Sequence, residues 1–148
     1  MHRKNRKPAT TPPWANRLLI EERVAHLATS TRNGEPTVVP ICFVYTKGVI
    51  YSAIDEKPKR TTPTKLRRIR NIIENPQVSV VVDEYRENWR KLRYVIVLGR
   101  ANIINSGKEH NAAISLLRKK YPQYKVMRLE ERPIVKIKPQ HTIAWKLA

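Results

Sequence analysis

Apolar residues recur along this chain with two periods, and the period changes at recognisable punctuation. Leu19, Ile20, Val24 and Leu27 repeat at helical spacing, so a first helix is expected from Asn16, a possible cap, to about Leu27. Glu21 and Glu22 suit its N-terminal half. A strand pattern begins at Ala25, overlapping the helical one over residues 25–27, and runs to the hairpin signal Asn33-Gly34. Residues 37–45 are dense in β-branched and aromatic side chains, and Lys47-Gly48 turns the chain into a third strand over 49–54. Pro40 cannot donate to a ladder, so it marks an edge or a bulge in the second strand.

A polar stretch over 55–63 separates this meander from a second helix, expected over 65–74 with Thr64 as its cap and Leu66, Ile69, Ile72 and Ile73 on its buried side. Asn75-Pro76 ends it. Strands follow at 77–83 and 92–104, then a third helix from Ser106 to about Lys120, then a last strand over 133–147 alternating through Val135, Ile137, Ile143 and Trp145. Consecutive strands joined by tight turns predict an antiparallel barrel with flanking helices, not a parallel βαβ sheet.

The 148 residues fit one domain, read as a basic tail over 1–13 and a folded unit over 14–148. No apolar run is long enough for a spanning helix, and the basic start has no apolar segment behind it, so neither a membrane span nor a secretory signal is expected. Cys42 is the sole cysteine, which suits a reducing cytoplasm. The four histidines are scattered without ligand spacing, so no metal site is predicted. Cys42 reads as a small core hydrophobe, Trp145 as core, and His26 as packed or interfacial.

The formal net charge of +18 predicts attraction to anions, and the distribution of charge narrows the choice. Between Lys57 and Arg70 there are seven basic residues and no acidic one. Lys57, Lys59 and Arg60, the hydroxyls of Thr61, Thr62 and Thr64, and a helix start near Lys65 are together a candidate phosphate site. A charge run alone is most often a solvated face, and Arg67, Arg68 and Arg70 read as surface because the opposite helix face is apolar.

Several segments in order carry a resemblance: Val38-Val39-Pro40-Ile41-Cys42-Phe43, then residues 49–55, then Lys57-Pro58-Lys59-Arg60. Residues 66–72, Asn75-Pro76, and residues 82–85 with Trp89 and Leu92 continue it. Together they resemble the pyridoxamine phosphate oxidase-like superfamily, most nearly its branch of enzymes using the deazaflavin coenzyme F-420. The likeness is close over residues 16–104 and looser in the last strand.

The resemblance implies a mainly β fold with flanking helices, a six-stranded antiparallel split β-barrel, acting as a homodimer with cofactor sites at the interface. It implies that the ring of FMN or the deazaflavin lies against backbone near Val39, Pro40 and Ile41 and near Ser52 and Ala53. Its phosphate would meet Lys57, Lys59, Arg60, Thr61 and Lys65, with Trp89 and Arg90 approaching from the second copy. Flat rings need an apolar wall with a few backbone hydrogen bonds, and phosphates need cations, so the residues suit the implication. The expected activity is hydride transfer to or from a small organic substrate, with no acid or base assigned.

No arginine follows Arg132, which departs from the substrate motif of true pyridoxamine phosphate oxidases and argues against vitamin B6 oxidation. G-x-G-x-x-G is also absent. The competing readings are a non-catalytic flavin or haem binder and a basic nucleic-acid-binding barrel; aromatics at 7% and the lack of an RNA-binding signature weigh against the second.

Overall fold

The computed structural model describes residues 11–55 and 66–147. Lys57, Lys59, Arg60, Thr61, Thr64 and Lys65, and the tail up to residue 10, lie outside the described residues. The elements in order are α1 (Pro13–Glu21), β1 (Ala25–Ser30), β2 (Pro36–Ile41), β3 (Val44–Thr46), β4 (Val49–Ala53), α2 (Arg67–Glu74), β5 (Gln77–Glu84), β6 (Arg93–Ile104), α3 (Lys108–Lys120) and β7 (Ile134–Lys146). All seven strands form one curled antiparallel sheet in the order β2-β1-β5-β6-β7-β4-β3, a split barrel flanked by helices. There are seven strands rather than six because the apolar run over 37–45 breaks at Cys42 and Phe43 into β2 and β3.

The turns behave as their residues require. Lys47 and Gly48 both adopt positive φ, 49° and 76°, the geometry of a tight β3–β4 hairpin. Pro40 sits on β2, an edge strand, where its missing N–H costs no ladder bond. α1 starts at Pro13, whose fixed φ suits a first helical turn, and stops at Glu21 because the chain is claimed by β1 from Ala25. It buries Ala15, Leu18 and Leu19, while Ile20, and Val24 beyond its end, are exposed.

Two apolar clusters hold the molecule. The barrel interior packs Leu18, Leu19, Leu27, Phe43, Ile50, Ile69, Ile72, Val80 and Val95. A second cluster lies under α3, where Ile114 and Leu117 meet Tyr51, Tyr124, Leu129 and Ile134. Arg118 secures the turns after α3 by donating to the carbonyls of Tyr124 (3.1 Å) and Met127 (2.8 Å) and pairing with Glu130.

The long antiparallel β6–β7 pair changes face part-way along. Gly99 pairs with Pro139 but Leu98 pairs with His141, so Gln140 is an extra residue and every later side chain of β7 is inverted. Val135 and Ile137 therefore point into the barrel, whereas Ile143 and Trp145 face outward. Trp145, expected in the core, is 40% exposed and stacks on Tyr94 with ring centroids 5.4 Å apart.

Candidate functional site

A hollow of about 240 Å³ opens where β2 ends, lined by Val24, Pro40, Ile41, Cys42, Ala53, Asp55 and Arg68. It brings together three of the residues assigned to a ring site, Pro40, Ile41 and Ala53, from two strands that are not neighbours in the sheet. Val39 is the next residue along β2, half-buried against the barrel core. Ser52 does not present its hydroxyl here: it is buried and donates to the Cys42 carbonyl at 2.7 Å, pinning the segment between β2 and β3.

Asp55 lines the wall and is held by polar groups that sequence patterns did not single out. Tyr124, buried beneath α3, donates its hydroxyl to the Asp55 carboxylate, and burial together with that carboxylate holds the phenol well above its ordinary pKa. Arg132 donates to the Asp55 carbonyl at 2.8 Å. His110 Nε2 lies 2.7 Å from the Arg132 carbonyl, so α3 and the last loop both hold Asp55 in place. Tyr124 and Asp55 are 69 positions apart, and no local pattern announces the pair.

Arg68 corrects one expectation. It was assigned to the surface with Arg67 and Arg70, yet it is 7% exposed and lines the hollow. A guanidinium on α2, close in sequence to Lys65 and Arg60, thus places charge at the pocket wall. Ile73 departs the other way: expected on the buried face, it is 66% exposed. Trp89 and Arg90 lie in a short helical turn between β5 and β6; Trp89 is 65% exposed, and Arg90 lines a separate hollow with Glu84, Arg93 and Lys146. A single chain does not bring them to the first hollow. His26 is exposed on β1, and Cys42 is half-buried at the hollow's edge.

The outer sheet face leads directly to this hollow. Pro40, His26, Val81, Ile96 and Ile143 are paired successively across β2, β1, β5, β6 and β7, forming one row. The adjacent rows carry Val38, Ala28, Ser79, Leu98 and His141 on one side and Asp83, Tyr94 and Trp145 on the other. Val38, Leu98, Ile143 and Trp145 are all exposed, so the face carries apolar side chains on β2, β6 and β7, with His26, Asp83 and His141 exposed among them, and it ends at the hollow.

Residues 12–146 match the family model of pyridoxamine 5'-phosphate oxidase. The chain belongs to this family. No curated protein matches it by sequence. Solved structures with the same fold include an FAD-binding protein from Mesorhizobium loti, 24% identical, covering 91% of this chain and 94% of that one with a TM-score of 0.67. An F420 reductase is 23% identical over 90% of this chain and 98% of its own, TM-score 0.66. The haem storage protein HutZ from Vibrio cholerae is 18% identical over 88% and 92%, TM-score 0.68. Among the described residues no helix is long and apolar enough to cross a membrane.

Proposed function

We propose that this member of the family binds a flavin-type cofactor, FMN or the deazaflavin F-420, and serves as an oxidoreductase on a small organic substrate. The observation that carries the reading is the hollow at the end of β2. Its apolar backbone wall at Pro40, Ile41 and Ala53 suits one face of a flat ring, and Arg68 supplies a cation for the anionic part. The names of two structural neighbours, one FAD-binding and one an F420 reductase, favour the same ligand class. Such a ring, when bound, supplies the hydride chemistry, while Pro40, Ile41 and Ala53 would hold the ring and Lys57, Lys59, Arg60, Thr61 and Lys65 its phosphate.

At 240 Å³ the hollow falls below the roughly 300–1,000 Å³ of small-ligand sites, so it is one half of a site. The apolar row ending at Pro40 suits a second copy of this chain, which would wall the hollow and bring its own Trp89 and Arg90 to the ring. The working form is therefore a homodimer with two interfacial sites.

The test is titration of FMN and F-420 side by side, with mass spectrometry of any ligand that copurifies. Lys59→Ala combined with Arg60→Ala should weaken cofactor binding about a hundredfold through lost charge-assisted contacts. Failure of both cofactors to bind, or unchanged affinity in the double variant, refutes the site. Tight binding without turnover under any reductant would instead identify a non-catalytic carrier.

A further inference from the structure

A second cavity is larger than the first and shares no lining residue with it. About 800 Å³ lies between α2 and one end of the β6–β7 pair. The sheet itself makes the gap. β5 begins at Gln77, opposite Arg100, and its last tie to β6 is the Ala101 N–H donating to the Pro76 carbonyl at 2.8 Å. Beyond that point β6 keeps β7 on one side and, among the described residues, has no strand on the other. α2 fills that flank incompletely.

The lining has two characters. Ile69, Ile72 and Ile73 of α2 and Ile103 of β6 give an apolar floor, and the exposure of Ile73 is part of this surface. At the rim stand Arg100 and Lys138, with no acidic side chain in the lining. These two cations are direct partners across the β6–β7 ladder. Like charges placed opposite one another in an antiparallel pair repel and destabilise the sheet unless something neutralises them. Among the described residues Lys138 acts on the Glu109 carboxylate, which is already engaged by Lys136 at 2.6 Å and by the Tyr51 hydroxyl at 2.8 Å.

We infer that this cavity is a second ligand site, for an organic anion with an extended apolar body such as a medium-chain carboxylate. The anionic head sits between Arg100 and Lys138, relieving their repulsion, and the hydrocarbon lies along the isoleucines of α2. A basic peptide or the basic N-terminal segment is disfavoured by the same charges. The inference is independent of the cofactor site, because the two cavities have no residue in common.

The probe is laurate, titrated below its micellar concentration against the full-length protein saturated with FMN, with dodecyltrimethylammonium as the cationic counterpart. Saturable laurate binding is expected, with the cationic amphiphile much weaker. Arg100→Gln with Lys138→Gln should weaken laurate at least about tenfold, and Ile73→Glu should do so without touching either cation. Both variants change exposed side chains, and circular dichroism checks that they fold. Equal affinity for the two amphiphiles, or laurate binding unchanged in both variants, overturns the inference. So does a laurate-silent protein in which Arg100→Gln with Lys138→Gln alters the oligomeric state, because the cavity would then be an interface between copies. Loss of FMN binding with laurate binding intact would sink the cofactor reading alone.

Discussion

The backbone N–H of Phe43 donates to the Tyr121 hydroxyl at 3.0 Å, joining the break between β2 and β3 to the end of α3. The same hydroxyl lies 2.9 Å from the Arg23 carbonyl, so one phenol holds three separated segments behind the hollow. Tyr121→Phe leaves the buried Phe43 amide without its acceptor. It should cost about 1–3 kcal/mol, measured by urea denaturation, and weaken cofactor binding by loosening the Cys42 wall. A stability equal to that of the parent protein would show that water replaces the hydroxyl.

Lys120 predicts an unusual pH dependence. Its ammonium lies 4.1 Å from the Phe43 ring centre, and Nζ has no hydrogen-bond partner among the described residues. Burial, reinforced by the charge of Arg23, pushes its pKa down to about 8. A lysine depressed in the folded state binds fewer protons there than in the unfolded chain between pH 8 and its ordinary value of 10.5. Stability from this group therefore rises with pH across that window and is lowest below it. Lys120→Met should remove the rise and stabilise the fold at pH 7 on the order of 1 kcal/mol, since the site is partly solvated. Denaturation midpoints at pH 7 and pH 10 for both proteins decide it: a parent curve that is flat over this interval contradicts the assignment.

Gly99 sits at the register shift of the β6–β7 pair, and a Cβ there would stand 2.5 Å from the Lys138 carbonyl oxygen. Backbone cannot yield as a flexible side chain does, so Gly99→Ala should destabilise by about 1–3 kcal/mol. Because the shift is what turns Ile143 and Trp145 outward, the variant should also disturb the Tyr94–Trp145 stack, visible as a change in near-ultraviolet circular dichroism. A native spectrum at native stability would mean that the two strands tolerate a Cβ that their geometry excludes.

That register shift also explains where sequence reading succeeded and where it stopped. Strand positions were legible because turn residues such as Lys47-Gly48 and Asn75-Pro76 punctuate runs with clear alternation. Burial along β7 was not, because one extra residue at Gln140 inverts parity while leaving the alternation intact to the eye. Of the candidate site, Pro40 is legible as an edge or bulge in a strand, while Ile41 and Ala53 enter only through the family resemblance. Arg68 is not legible, since a guanidinium on an amphipathic helix reads as surface until the tertiary fold places the pocket beside it. The Asp55–Tyr124 bond was invisible for the same reason: it is a long-range contact without a local motif.

The outer sheet face gives the prediction with the widest consequence. Ile143 lies opposite Ile96 at the β7 end of the row whose other end is Pro40, exposed and flanked by Leu98 and Trp145. On a solitary barrel this position faces water, and Ile143→Asp should then be neutral within about 0.5 kcal/mol, as surface substitutions usually are. In a homodimer packed on this face, the same change buries an unpaired carboxylate and should shift the protein to monomer at micromolar concentration. Cofactor affinity should fall with it, because the hollow would lose the wall supplied by the second copy. Sedimentation velocity and FMN titration on the same samples separate the cases. A variant that remains dimeric, or a monomer that binds FMN as tightly as the parent, would place the cofactor entirely within one chain and leave the apolar row without its proposed partner.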